Sequence, residues 1–454
     1  MLTKKMILRK AHRRMNANLP AITVDDIRVQ NIVNQQNSQR YFNGRWQGGP
    51  LGKKRLATDV LRTTMWKGKR CFILGGGPSL TGFDFKQLED EYTIGINRVY
   101  ENMDCSILFA MDGRFFNWIR DGKYGKHALS RFRNFHGVKF WLDVANLNIH
   151  DVFYIRAIGR QGLSWKLEEG LYNGNNSGYG ALNLALTLGA NPIYLLGFDM
   201  SFDKGKGHYH NGHPTPFKES MMGSFKPSFN NAAAEIRTHG IKVININRNS
   251  KLKCFEFGDL PGDIGKNKKP IYVSFYTPNG YEKVVTKLRD DIWRFTLRSN
   301  IDKVNDQGSW VKNTQYKPIY LKQMLDRYPG NPIVWVDADA RIRQHPALFD
   351  NFKADIGIHY RTKGKRGPCV KELLSGTIYL ANNKKTRKLL DMWIAENNKY
   401  PDKWDQRTLS TVIGGWDGVV QEIPSTYCQI FDSMKGPGVV IEHFQASREF
   451  RRRQ

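Results

Sequence analysis

Short apolar runs alternate along the chain with stretches of helical spacing, and that alternation predicts an α/β protein. CFILGGGPSL (Cys71 to Leu80) reads as a short buried strand entering a glycine-rich turn, with LTGFDFKQLED continuing toward a helix. Further strand-like runs are YTIGIN (to Asn97), SILFAMD (to Asp112), VKFWLDV, NPIYLLGFD (to Asp199) and IKVININ. They are separated by polar or helix-patterned segments such as GALNLALTLGA. This order predicts a mostly parallel sheet with helices on its faces. Asn97, Asp112 and Asp199 then fall on the carboxyl edge, where open α/β sheets bind ligands. A basic stretch, GDIGKNKKP (Gly262 to Pro270), interrupts the pattern, and PIYVSFYTPNGY opens a second set of strands. YEKVVTKLRDDIWRF and KPIYLKQMLDRYP carry helix-like apolar spacing. The expected organisation is a basic arm (1–67), two Rossmann-like α/β domains (68–262 and 269–448) and a basic tail (449–454).

A chain of 454 residues, 40% of them hydrophobic, can bury more than one core. No run approaches the roughly 18 apolar residues of a membrane span, and MLTKKMILRKAHRRM lacks the apolar centre of a signal peptide. The expected location is the cytoplasm of a bacterium or of a phage-infected host. Cys71, Cys105, Cys254, Cys369 and Cys428 are scattered without CxxC spacing, which predicts free thiols rather than disulfides or a zinc cage. The formal charge of +28 changes the picture most. Residues 1–70 hold 16 Lys and Arg against three acids, a net of +13, and the chain ends in Arg448, Arg451, Arg452 and Arg453. Such an arm is either a solubilising tail or a contact for nucleic acid or an anionic membrane surface. Tyr41, Trp46 and Trp66 lie among its basic residues, where aromatic rings can stack on an unpaired base.

Two stretches carry chemistry. The glycines after the first strand let a ligand approach the backbone, and unpaired N–H groups at a following helix start favour phosphate oxygens. No Gly-Lys-Ser/Thr follows, so this is not a P-loop. In NPIVWVDADARI, a buried run leads into Asp337-Ala338-Asp339. Residues two apart on a strand share a side, so the two carboxylates can converge where the strand emerges. Paired hard oxygen ligands suit Mg²⁺ or Mn²⁺, which neutralises a departing diphosphate.

GGGPSL, Asn97, NSGYGALNLALTLGANPIYLLGFDMSF, HYHNGH (His208 to His213) and ININRNS resemble the bacterial sialyltransferases and the related motility-accessory-factor-like proteins. The resemblance covers about 190 residues. It implies nucleotide binding by Gly75, Gly77, Pro78, Ser79, Asn97, Ser177 and Gly178, with His213 as general base. A neutral imidazole suits that role, though three histidines among Gly, Asn and Pro also fit a polar loop or a weak metal site. MSF stands after Asp199 where the family has phosphate-gripping tyrosines, which argues against CMP-sialic acid as the donor.

VSFYT, WVDADARI, LLSGTIYLAN, WDQRTL and VIEHFQASR resemble the GT-A-fold nucleotide-diphospho-sugar transferases. By that resemblance Tyr276 and Thr277 hold the donor base, Asp339 and His443 bind the metal, and Asp337 supports metal or ribose. Ser375 and Gly376 lie along the sugar, and Asp405 and Gln406 face sugar and acceptor. On residue type alone, Asp405 also reads as a helix cap and His443 as a core histidine. The expected activity is glycosyl transfer from a UDP-sugar or similar donor to a hydroxyl. The expected acceptor is a hydroxymethylated base in viral DNA or, alternatively, a glycan or lipid-linked saccharide. The rival from another class is a non-catalytic nucleic-acid-binding protein built on transferase folds.

Overall fold

The structure, a computed structural model, describes residues 40–42, 45–47, 54–143, 149, 152–215, 218–278, 280–363, 370–434, 436–446 and 448. In the arm, β1 (Arg40–Phe42) and β2 (Arg45–Gln47) pair antiparallel; the rest of residues 1–53 and the tail after Arg448 lie outside the described residues, as does Cys369. The other four cysteines are free thiols. Among the described residues no helix is long and apolar enough to cross a membrane.

The first half is built on a nine-stranded sheet in which every pairing is parallel. Its strands are β3 (Cys71–Leu74), β4 (Tyr92–Ile96), β5 (Ile107–Ala110), β6 (Val138–Asp143), β7 (Phe153–Gly159), β8 (Leu171–Tyr172), β9 (Ile193–Leu196), β10 (Val243–Asn245) and β11 (Glu256–Phe257). The spatial order is β11-β10-β9-β3-β4-β5-β6-β7-β8. β3, β5 and β9 are buried at every position, as expected of parallel strands covered on both faces. One cover is the Ser177–Thr187 helix, started by Asn176, whose side chain accepts from Tyr179 N.

The second half carries β12 (Ile271–Tyr276), β13 (Ser299–Lys303), β14 (Ile333–Val336), β16 (Ile356–Lys363), β17 (Val370–Leu380) and β18 (Val420–Glu422) in the order β13-β12-β14-β17-β16-β18. β12 is parallel to β13 and β14, whereas β17 runs antiparallel to β14 and β16. A small sheet, β15 (Ala340–Ile342), β20 (Ile441–His443) and β19 (Gln429–Ile430), extends from the end of β14. Both halves are thus Rossmann-like α/β layers.

Two local expectations change. No α-helix follows the glycine turn after β3: Pro78–Leu80 and Phe85–Leu88 are single 3₁₀ turns. Trp66 is not a stacking platform. It is 1% exposed, packs on Tyr92 at 5.2 Å between ring centroids, and donates from Nε1 to Thr296 Oγ1 at 3.1 Å.

Trp66 belongs to a buried apolar cluster that runs from the first sheet into the second and includes Phe153, Tyr272 and Trp293. Beside it, the buried Asp90 carboxylate accepts from Arg298 (2.7 Å), Asn331 (2.6 Å) and Lys268 (3.1 Å), all from the second half or the connecting stretch. A buried carboxylate stripped of such partners is costly, and so is the converse. Asp90→Ala is expected to lower unfolding free energy by about 3 kcal/mol in denaturant titration; a loss below about 1 kcal/mol would show that this cluster does not hold the halves together.

Candidate functional site

The second half places its cleft where the strand order reverses. The chain passes from β12 to β13 on one side and returns to β14 on the other, so the carboxyl ends of β12 and β14 diverge and leave a crevice. Tyr276 and Thr277 stand at one lip and Asp337 at the other, around a cavity of about 570 Å³.

Asp337 and Asp339 do not alternate along a strand, as the sequence pattern suggested. β14 ends at Val336, and Asp337 to Asp339 form a turn closed by Ala340 N donating to Asp337 O at 2.9 Å. Register then brings in the third residue. β15 starts at Ala340, which is paired directly with His443 on β20, so Asp339 arrives beside His443. Ligand atoms of Asp337, Asp339 and His443 lie within 4.8 Å of one another.

Second contacts orient this triad. Asp337 Oδ1 accepts from Trp335 Nε1 at 2.8 Å and from Lys317 Nζ at 3.3 Å. Asp339 Oδ2 accepts from Ala446 N at 2.5 Å. His443 Nε2 lies 2.8 Å from Thr377 Oγ1, while its buried Nδ1 has no hydrogen-bond partner. An imidazole held through one nitrogen with the other unpaired is the arrangement of a metal-ligating histidine. Gly376 makes room for it, since a Cβ there would stand 2.9 Å from His443 Nδ1. Burial, reinforced by the charge of Asp337, pushes the Asp339 carboxyl up to about 6. Burial likewise lowers the His443 imidazole, against the pull of Asp337.

Asp405 is not a helix cap. Trp404 occupies the N-cap position, and the 3% exposed Asp405 side chain accepts from Lys317 Nζ at 2.7 Å and Ser375 Oγ at 3.0 Å. Gln406 reaches Ser375 N at 3.4 Å. Lys317 was not singled out from sequence. It starts the Lys317–Arg327 helix and is 5% exposed. Burial alone would lower its pKa, but Asp337 and Asp405 outweigh that and hold it raised. Its signal was its place on the apolar stripe of that helix, with Tyr320, Leu321 and Met324 at i+3, i+4 and i+7. A charge there requires buried partners.

A second cleft, of about 640 Å³, lies at the corresponding reversal of the first sheet, between β3 and β9. Gly75, Gly77, Asn97, Ser177, Gly178 and His213 line it, together with Asp112 and Asp199. Pro78 and Ser79 do not. Ser79 spends its N–H and hydroxyl on the Asp199 carboxylate, at 2.9 and 2.8 Å, so neither is presented to a phosphate. His213 Nδ1 sits 2.6 Å from Thr215 O, which makes Nδ1 the protonated nitrogen. His208 stacks parallel to His213 at 5.2 Å, and burial lowers His208 to about 4. Asn97, Asn175 and Met200 all hold left-handed backbone, with φ of 51°, 59° and 52°, and all line this cleft. Strained residues gather at functional sites.

No protein-family profile matches the chain, and no curated protein matches it. About two fifths of it is similar to solved structures. One is a glycosyltransferase involved in the glycosylation of the major capsid of PBCV-1, at 11% identity and a TM-score of 0.33, covering 40% of this chain and 97% of that one. Another is the glycosyltransferase GlyE of Streptococcus pneumoniae TIGR4, at 13% identity and a TM-score of 0.28, covering 39% of this chain and 55% of GlyE. The apo form of GlyE matches at 12% identity and a TM-score of 0.29, with the same coverage.

Two outcomes follow from the triad. Gly376→Ala is expected to displace the His443 ring and weaken Mn²⁺ binding by about 10- to 100-fold in calorimetry; unchanged affinity would remove His443 from the ligand set. With Asp339 as a ligand, a cation would compete with its proton, so Mn²⁺ affinity should fall by about tenfold per unit as pH drops below about 6, and level off above it. A flat profile across that range would show that Asp339 is not a ligand.

Proposed function

We propose that the C-terminal cleft is a GT-A-type active site that transfers a sugar from a nucleotide-diphosphate donor, a UDP-sugar or similar, to an acceptor hydroxyl. The observation that carries this is the convergence of Asp337, Asp339 and the unpaired Nδ1 of His443 at the end of a central strand. Two carboxylates and an imidazole fit Mn²⁺ or Mg²⁺, which when bound supplies positive charge to a diphosphate. Tyr276 and Thr277 form the lip for the donor base, and Ser375, Gly376, Asp405 and Gln406 border the sugar. Transfer makes a bond from the acceptor oxygen to the anomeric carbon. The bond from that carbon to the diphosphate oxygen breaks, its electron pair stays with the diphosphate, and the acceptor proton passes to the departing diphosphate or to solvent. The protein's share is positioning and fixed charge.

The first cleft supports a second reading, a ligand of nucleotide type with His213 as base. It is favoured by the reversal point between β3 and β9 and by the buried, unpartnered Oδ1 of Asn97. For the acceptor, the charge of +28 supports hydroxymethylated DNA, or a glycan presented at an anionic membrane surface.

With Mn²⁺ present, Asp339→Ala and Asp337→Ala are expected to reduce donor hydrolysis and transfer by at least about 100-fold, read by nucleotide release. Turnover that survives both substitutions and EDTA but is lost in His213→Ala would overturn this reading and move catalysis to the first cleft.

A further inference from the structure

Two tryptophans stand on one wall of the C-terminal cleft and have no part in the triad. Trp310 is the first residue of the Trp310–Gln315 helix, and Trp404 is the N-cap of the Asp405–Ile413 helix. Both line the cleft, with ring centroids 6.3 Å apart at an interplanar angle of 58°. No side chain of the Trp310–Gln315 helix is fully buried, and Trp310 itself is half-buried, so this large aromatic residue is not a core filler. The pair is nevertheless held in place. Gln315 Nε2 donates to the carbonyls of Tyr400 at 3.1 Å and Lys403 at 2.7 Å, and Asn397 Nδ2 donates to Gln315 O at 3.1 Å. Asp405 N donates to Thr314 Oγ1 at 3.4 Å. These bonds lock the short helix to the turn that carries Trp404, and the Arg407 guanidinium covers the Trp404 ring at 4.0 Å. Fixed aromatic faces bind at low entropic cost.

The groups around the two rings identify the class of ligand. Asn313, Thr314, Ser375 and Gln406 line the same cleft; each is bonded within the protein, but the neutral amides of Asn313 and Gln406 keep a second N–H, and all four keep spare lone pairs. The cations among the described lining residues are Lys317, paired with Asp337 and Asp405, and Arg448, paired with Asp432; Arg407 adjoins the rings from outside the lining, over the face of Trp404. A nucleotide within a duplex brings phosphates to the mouth of its site, and they need cations there. A pyranose brings an apolar C–H face for an indole and a rim of hydroxyls for amides and hydroxyls. We propose that Trp310 and Trp404 form the acceptor subsite and that it takes the sugar ring of a saccharide acceptor. This rests on the glycosyltransferase reading of the same cleft and goes beyond it by choosing the acceptor class.

The test uses the full chain with Mn²⁺ and a set of nucleotide-sugar donors. It measures donor hydrolysis without acceptor. It then measures transfer, by mass, to methyl glycosides of glucose, galactose, mannose and N-acetylglucosamine, to their common disaccharides, and to a duplex containing 5-hydroxymethylcytosine. The expected result is transfer to at least one saccharide, with acceptor KM raised about tenfold or more in Trp310→Ala and Trp404→Ala, and donor hydrolysis changed far less. Trp404→Phe should recover much of the acceptor KM, because it restores an aromatic face without altering the helix start. Transfer to the hydroxymethylated duplex alone, no transfer to any saccharide, or an acceptor KM unmoved by both alanine variants overturns the proposal while leaving donor hydrolysis, and so the transferase reading, intact. Loss of donor hydrolysis in parallel with transfer would show that the tryptophans support the fold or the donor instead. Absence of metal-dependent donor hydrolysis in the unaltered protein overturns the transferase reading itself, and this inference with it.

Discussion

The C-terminal site depends on one buried ammonium. Lys317 enters from the start of its helix and reaches the carboxylates of Asp337 and Asp405 and the carbonyl of Ser375 at once, at 3.3, 2.7 and 3.1 Å. Taking a charge out of water costs several kcal/mol unless partners replace the lost hydration, and here three do. The bridge ties together the end of β14, the middle of β17 and the helix that begins at Asp405. Without it, Asp405 would be a buried carboxylate near two others, and the wall that carries Trp404 would lose its tie to the Asp337–Asp339 turn. A point charge on a flexible stem suits such convergence better than a planar guanidinium, which would require its acceptors in one plane.

The same topological rule places both clefts. In each half the chain lays its second strand on one side of the first and a later strand on the other, and the loops leaving the two central strands must diverge. What the halves put at that point differs. In the second half the loops bring acids and an imidazole into a cation-sized group. In the first they bring glycines, asparagines and histidines, with the Asp199 carboxylate occupied by Ser79 and Asn247. An acid so engaged shapes the loop instead of meeting a ligand, whereas the unpartnered Asn97 oxygen faces the opposite situation.

Much of this was legible from sequence because it rests on pattern. The apolar runs before Gly75, Asn97, Asp199, Thr277 and Asp337 became strands, since a parallel strand buried on both faces has little choice but to be continuously apolar. Contacts distant in sequence were not legible. Lys317 looked like one of 70 basic residues until its helix face was set beside Asp337 and Asp405. Trp66 looked like part of a basic arm, yet it is a core residue whose partner, Thr296, lies 230 positions away. Asp337 and Asp339 were expected to share a side by strand alternation. A turn does that work, and His443 joins them through strand register that local spacing cannot show. The strand Phe153–Gly159 was missed because its burial is split, buried at its start and open at its end, so the run FYIRAIG has no clean period.

Charge balance gives the metal-binding reading its physical sense. Around the cleft, the three carboxylates of Asp337, Asp339 and Asp405 face the one cation directed at them, Lys317; Arg448 also lines the cleft but is paired with Asp432, and His443 is held toward its neutral form by burial. The deficit of two is concentrated on the Asp337–Asp339 side, because Asp405 is fully engaged with Lys317 and Ser375. Burial, reinforced by repulsion from Asp337, is what raises the Asp339 carboxyl. In the proposed function, a divalent cation held there would remove that repulsion and cancel the deficit, leaving the cleft close to neutral for the proposed donor. On that reading a diphosphate would meet a cation held by two half-buried carboxylates and a buried imidazole, next to a lysine whose charge is already committed to holding the walls in place.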